Sequence, residues 1–164
     1  MFDRSDLEAL APALLVDWRY MGCYPGLHFT VFPQHAFRVP DAEQTLRITR
    51  APKRPGDTGL QFWVSAENAN SLPGAQDPAT KTRRAAHAAR AFNSTRFLSI
   101  DEAQFNGIVH GHCAELLVAP ALPLHPPRGF IGALSMHAPE DELTTSVFAE
   151  YTDEFIHFHW DSTA

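Results

Sequence analysis

The segment from Glu115 to Ala138, ELLVAPALPLHPPRGFIGALSMHA, constrains the fold of this chain more than any other. Two apolar, strand-like runs flank a proline-rich turn that closes on Arg128-Gly129, the pattern of consecutive antiparallel strands joined by a short turn. The second run, Phe130 to Met136, carries Gly132 and Ser135 inside an otherwise apolar strand. A glycine there lets a ligand or a neighbouring chain come close to the backbone. A sheet with something resting on it is the expectation.

The chain has 164 residues, 45% apolar and 20% charged, which fits one domain with a single core over 1–164. No apolar run approaches the ~20 residues that span a bilayer, so no membrane contact is expected. Met1-Phe2-Asp3-Arg4 lacks the basic-then-apolar layout of a secretory signal. Cys23 and Cys113 make no disulfide framework, and a reduced, cytoplasmic setting is expected. The net charge of -6 argues against direct nucleic-acid binding. Charge is uneven: ten Lys/Arg and five Asp/Glu lie between Arg38 and Arg96, whereas Gly129–Ala164 holds seven acids and no Lys or Arg. That asymmetry fits solvated faces of opposite sign, or a partner contact.

Leu7, Leu10, Leu14 and Trp18 form one stripe and predict a helix over Ser5–Tyr20, with Pro12 as a kink or break. Leu27–Pro33 and Thr45–Ala51 alternate as strands, with Leu46 and Ile48 inward. Lys53–Gly59 is a loop. Leu60–Ala66 fits either a third strand or the first turn of a helix. Ala69–Pro78 is turn-rich, and Asp77-Pro78 caps a helix over Ala79–Ala91. Phe97–Ile100 reads as a short strand and Asp101–Gly111 as a loop. Leu143, Val147, Phe148, Tyr151, Phe155 and Phe158 predict a long terminal helix over Glu142–Trp160. The expected fold class is α+β, an α/β/α sandwich with a central antiparallel sheet.

His110-Gly111-His112-Cys113 does not match the ligand spacing of a structural zinc site, even with a distant His125, His137, His157 or His159 as the fourth ligand. These residues read as loop or pocket lining, and no metal or other cofactor is expected. His157-Phe158-His159-Trp160 reads as a helix end, where a charged histidine suits the dipole. Cys113 has no oxyanion hole or orienting third group in view, and no phosphate loop, G-x-S-x-G or H-E-x-x-H occurs. An enzyme is not expected. A dispersed set is more suggestive: Trp63, Asp77, Phe92 and Ser135, with Phe62, Phe97, Leu116, Val118 and Leu134 around them. Aromatic walls with a few fixed polar groups suit a cavity for an amphipathic small molecule. The same residues also fit plain structural roles: Trp63 in the core, Asp77 as a helix cap, Ser135 facing solvent.

Pro123-Leu124-His125, Arg128-Gly129 and Gly132-Ala133-Leu134-Ser135, with Trp63 and Asp77-Pro78 upstream, resemble the ligand-binding domain of LuxR-type quorum-sensing regulators. That family binds N-acyl-homoserine lactones. The resemblance implies that Trp63 donates to a lactone carbonyl and Asp77 accepts from the amide N–H. It also implies that Ser135 holds a carbonyl and that Phe92, in place of a second Trp, packs on the lactone ring. Glu67 stands where the family has Tyr, and Ala119 where it has Gly. No helix-turn-helix is read in this sequence, so the resemblance implies either the sensing domain of a longer transcriptional regulator or a stand-alone regulator acting through a protein partner; a homodimer is expected. The I-G-A-L-S strand is also similar to GAF sensor domains, which implies another small ligand.

Overall fold

The computed structural model describes residues 1–16, 24–39, 43–71, 95–137 and 143–163. Six strands form one antiparallel sheet: β1 (His28–Phe32), β2 (Glu43–Pro52), β3 (Arg96–Ile100), β4 (Phe130–His137), β5 (Thr144–Tyr151) and β6 (Glu154–Thr163). Their order across the sheet is β1-β2-β6-β5-β4-β3. Three helices accompany them among the described residues: α1 (Arg4–Val16), α2 (Gly59–Ser71) and α3 (Glu102–Cys113). The class is mixed α+β.

Strand alternation divides the side chains between two apolar clusters. On one face, Phe2 just before α1, Leu7 of α1 and Phe62 and Trp63 of α2 pack with Ala51, Leu134, Met136, Phe148 and Phe155 of the strands. On the other, Phe105, Val109 and Cys113 of α3 pack with Leu46, Ile48, Ala133, Val147, Ala149, Ile156 and Phe158. The helix starts are fixed by their own side chains. The Thr58 hydroxyl accepts from the Gln61 N–H at 3.2 Å, and the Gln61 carbonyl oxygen accepts from the Thr58 N–H. Asp101 and Gln104 form the same reciprocal box at 2.8 and 2.9 Å.

The strands over Leu27–Pro33, Thr45–Ala51 and Phe97–Ile100 fall where the pattern predicts them, as does the first helix through Val16; residues 17–20 of that predicted helix lie outside the described residues. Leu60–Ala66 resolves as helix, which runs on to Ser71 instead of turning at Ala69. The predicted helix over Ala79–Ala91 lies outside the described residues. Three readings are corrected. Asp101–Gly111 is the body of α3, because the Asp101 box starts it and Phe105, Val109 and Cys113 bury one stripe.

The terminal segment is not a helix but the β5–β6 hairpin, turning at Thr152-Asp153. The Glu115 hairpin does not form either. The first apolar run lacks donors at Pro120 and Pro123; its strand-like pairing is a single isolated bridge of Leu116 to Phe37, while Leu116 and Leu124 pack into the core as side chains. β4 pairs instead with β3 and β5.

Gly132 is indeed a place of close approach, beside an irregularity in the β4–β5 register. What rests there is the chain's own Met1: a Cβ on Gly132 would stand 2.9 Å from its Cγ and Sδ. Gly129 closes the preceding turn at φ +72°, with Thr152 directly against its α-carbon.

The Tyr24 hydroxyl pins the β2–α2 loop, donating to Asp57 Oδ2 at 2.6 Å. That hydrogen bond holds the Asp57 carboxyl below its ordinary value. A lowered folded-state value contributes stability above the unfolded value of about 3.9, and this is lost as pH falls through the folded value. The wild type should therefore lose stability more steeply than Tyr24→Phe as pH falls below about 4. Equal slopes in urea titrations of the two proteins would refute this role for Tyr24.

Candidate functional site

Two places on the sheet hold polar groups that the fold did not need for packing. The first is on the α1/α2 face. Strand period two puts His157 and His159 of β6 on that face together with Phe155 and Asp161. The register aligns Arg47, His159 and Ser146 in one row across β2, β6 and β5, and Thr49, His157 and Phe148 in the next. Glu67, one turn after Trp63 on α2, comes down onto these rows. Its Oε1 lies 3.1 Å from His157 Nε2 and 3.8 Å from His159 Nδ1. The Ser146 hydroxyl donates to Glu67 Oε1 at 3.0 Å and lies 2.9 Å from His157 Nε2.

Burial alone would raise the Glu67 carboxyl. The facing imidazoles of His157 and His159 outweigh it and hold Glu67 well below the carboxylate range. Burial likewise opposes a charged His159, but Glu67 and, more weakly, Asp161 raise it above the usual histidine value. Asp161 Oδ1 stands 3.9 Å from His159 Nε2.

Serine, histidine and glutamate together invite comparison with a nucleophilic triad. Such a relay needs hydroxyl and carboxylate on opposite ring nitrogens. Here both approach Nε2, while His157 Nδ1 is buried without a hydrogen-bond partner. The arrangement does not make an activated serine. One donor atom each from Glu67, His157 and His159 does lie within 4.8 Å of the other two.

The second place is a groove of about 790 Å³ on the α3 face, between α3 and strands β3 to β5. Leu98, Ile100 and Ile108 give it an apolar wall; Gln104, His112, Glu115, Ser135 and Thr145 are its polar lining. His112 Nε2 lies 3.1 Å from Thr145 Oγ1, and its ring packs at a tilt against Trp160, with centroids 4.7 Å apart. Burial lowers His112 below the usual histidine value, against the pull of Glu115. Gly107 and Gly111, one turn apart on α3, line the same groove, and a Cβ on either would meet nothing within 4 Å.

The residues expected to share a ligand chamber are distributed differently. Trp63, Phe62 and Phe97 belong to the α1/α2 face, where Trp63 packs on Phe2 at 5.7 Å and on Phe97 at 5.4 Å. Ser135 lines the groove on the opposite face, and Leu116 is buried in the core of that face. Neighbouring residues on β4 alternate, so Ser135 points away from Leu134 and Met136, which touch the tryptophan's cluster. Trp63 and Ser135 do not meet in one cavity. Val118 is exposed in the 114–129 segment. Asp77 and Phe92 lie outside the described residues.

Of the His110–Cys113 group, His112 reaches the groove while Cys113 is fully buried, its thiol pushed up to about 11 by burial. A thiol held protonated is no nucleophile at neutral pH. Glu67, His157 and His159 escaped notice as a group. The available signal was H-x-H, which in a strand puts both rings on one face. Comparison with protein-family models, with curated proteins and with solved structures finds no match for this chain.

Proposed function

We propose that this chain is a small-molecule-binding domain, layered as an α/β/α sandwich, whose ligand lies in the groove between α3 and strands β3 to β5. The observation that carries the reading is the pair Gly107 and Gly111. A helix-interior glycine costs about 0.5–1 kcal/mol relative to alanine. α3 carries two in twelve residues, both on the wall where side chains would otherwise fill the groove.

The lining calls for an amphipathic ligand. Its apolar part lies along Leu98, Ile100 and Ile108, and its polar head meets Ser135, Gln104 and Thr145. An acyl-homoserine lactone has that character, so sensing of such an autoinducer remains our first ligand class. Its contacts are then Ser135 and the α3 wall, with Trp63 serving as core of the opposite face. A GAF-like ligand with a more polar head is the second class.

The test uses Gly107→Ala/Gly111→Ala. The double variant should unfold about 1–2 kcal/mol later than wild type, because two glycines leave a helix. It should also lose the thermal shift that acyl-homoserine lactones or other amphiphiles give the wild type, a shift worth ~2.7 kcal/mol at 100 times Kd. A variant that gains stability and keeps the full shift would place the ligand elsewhere. A wild type indifferent to the whole panel would remove the proposal.

A further inference from the structure

We propose that Glu67, His157 and His159 form a binding site for one divalent transition-metal ion of the zinc type, on the face opposite the groove. Two imidazoles and one carboxylate are the donor set that zinc accepts in sites with three protein ligands. Ligands about 2.1 Å from a common ion lie roughly 3–3.5 Å apart. The Glu67 Oε1 separations of 3.1 and 3.8 Å from His157 Nε2 and His159 Nδ1 bracket that spacing, and all three donor atoms lie within 4.8 Å of one another, so the side chains draw together to share one ion.

Each donor is held by structure that exists for other reasons. The two histidines are fixed by the register of a central strand flanked by β2 and β5. Glu67 is fixed by α2, whose Phe62, Trp63 and Ala66 are locked in the core. The supporting groups are also in place. Ser146 donates to the ligating carboxylate oxygen, and Asp161 faces the ring nitrogen of His159 turned away from Glu67. Such outer partners set the tautomer and orientation of metal-ligating histidines.

A second, independent observation points the same way. The Nδ1 of His159, the atom that faces Glu67 and would ligate, is buried and has no hydrogen-bond partner. A metal ion there would supply the partner that this buried polar atom lacks. Access is open from one side, since the side chains of Glu67 and His159 are 19% and 18% exposed. Three protein ligands with an open side leave a position for water or a further ligand, whereas a closed structural site would need a fourth protein donor.

The test is titration of the full chain, carrying no histidine tag, with Co²⁺ and then Zn²⁺. One equivalent of Co²⁺ should give a saturable visible absorption that one equivalent of Zn²⁺ abolishes, and Zn²⁺ should shift the ring resonances of His157 and His159. Glu67→Gln and His159→Ala should each weaken Zn²⁺ binding at least about 10–100-fold. His112→Ala, on the opposite face, should leave binding unchanged. If His159→Ala does not fold, Glu67→Gln and the wild-type resonance shifts decide the question. Absence of one-to-one binding, or full affinity in Glu67→Gln, or resonance shifts confined to other histidines would overturn the site.

Discussion

Phe148→Ala should lower the free energy of unfolding by about 3–5 kcal/mol, the cost of truncating a large aromatic in a core that cannot collapse. Phe148 is fully buried on β5, with ring centroids of Phe2, Phe62 and Phe155 at 5.3, 6.0 and 5.9 Å. It joins the N-terminal residues, α2 and β6 in a single aromatic cluster, so its loss loosens three elements at once. Against a total stability of about 5–15 kcal/mol for a typical domain, that is a large fraction. Guanidinium titration measures it directly.

The same ring explains Gly59, since a Cβ there would stand 2.7 Å from Phe148 Cζ. Gly59→Ala should therefore destabilise the wild type but cost much less in the Phe148→Ala background, the coupling expected of two groups that share one space. A Phe148→Ala cost below about 1 kcal/mol, or strict additivity of the two changes, would mean that this cluster is not packed as described.

What the sequence disclosed depended on how each element meets solvent. β2 alternates visibly because it carries Arg47 and Arg50 between Leu46, Ile48 and Ala51. β5 and β6 do not alternate in the same way. From Ser146 to Tyr151 every residue of β5 is buried, because both faces of this central strand are covered. A strand of that kind reads as a continuous apolar run. Leu143, Val147, Phe148 and Tyr151 then also fit a helical stripe, and the β-branched and aromatic content of the segment was the better guide.

For α3 the misleading residues were Gly107 and Gly111, which resemble loop punctuation. The D-x-x-Q box at Asp101 and the Phe105, Val109, Cys113 spacing were sufficient to find the helix. The sites followed the elements. With 142–160 taken as helix, His157 and His159 stood at its end, and nothing directed them toward Glu67. Thr145 and Ser146, consecutive on β5, face the groove and the Glu67 cluster respectively, a division that only the strand assignment reveals.

Phe105→Ala should cost a further about 3–5 kcal/mol on the opposite face, but with a different character. α3 is twelve residues long and carries two interior glycines, so in isolation it would be marginal. What holds it is the buried stripe of Phe105, Val109 and Cys113 against the strands. Phe105 is the largest side chain of that stripe and is fully buried. Removing it leaves a helix with poor intrinsic propensity and a weakened face, so α3 should open locally before the sheet does.

Amide exchange should then speed up over 102–113 while β5 and β6 stay protected. Leu98→Ala, removing a mostly exposed side chain from the rim of the groove, should stay within about 0.5 kcal/mol of wild type. Because α3 forms one wall of the proposed ligand groove, Phe105→Ala should bind amphiphiles more weakly than its residual fold would allow. Uniform exchange across α3, β5 and β6 in Phe105→Ala would show instead that helix and sheet open as one unit, with no separate mobility of the groove wall.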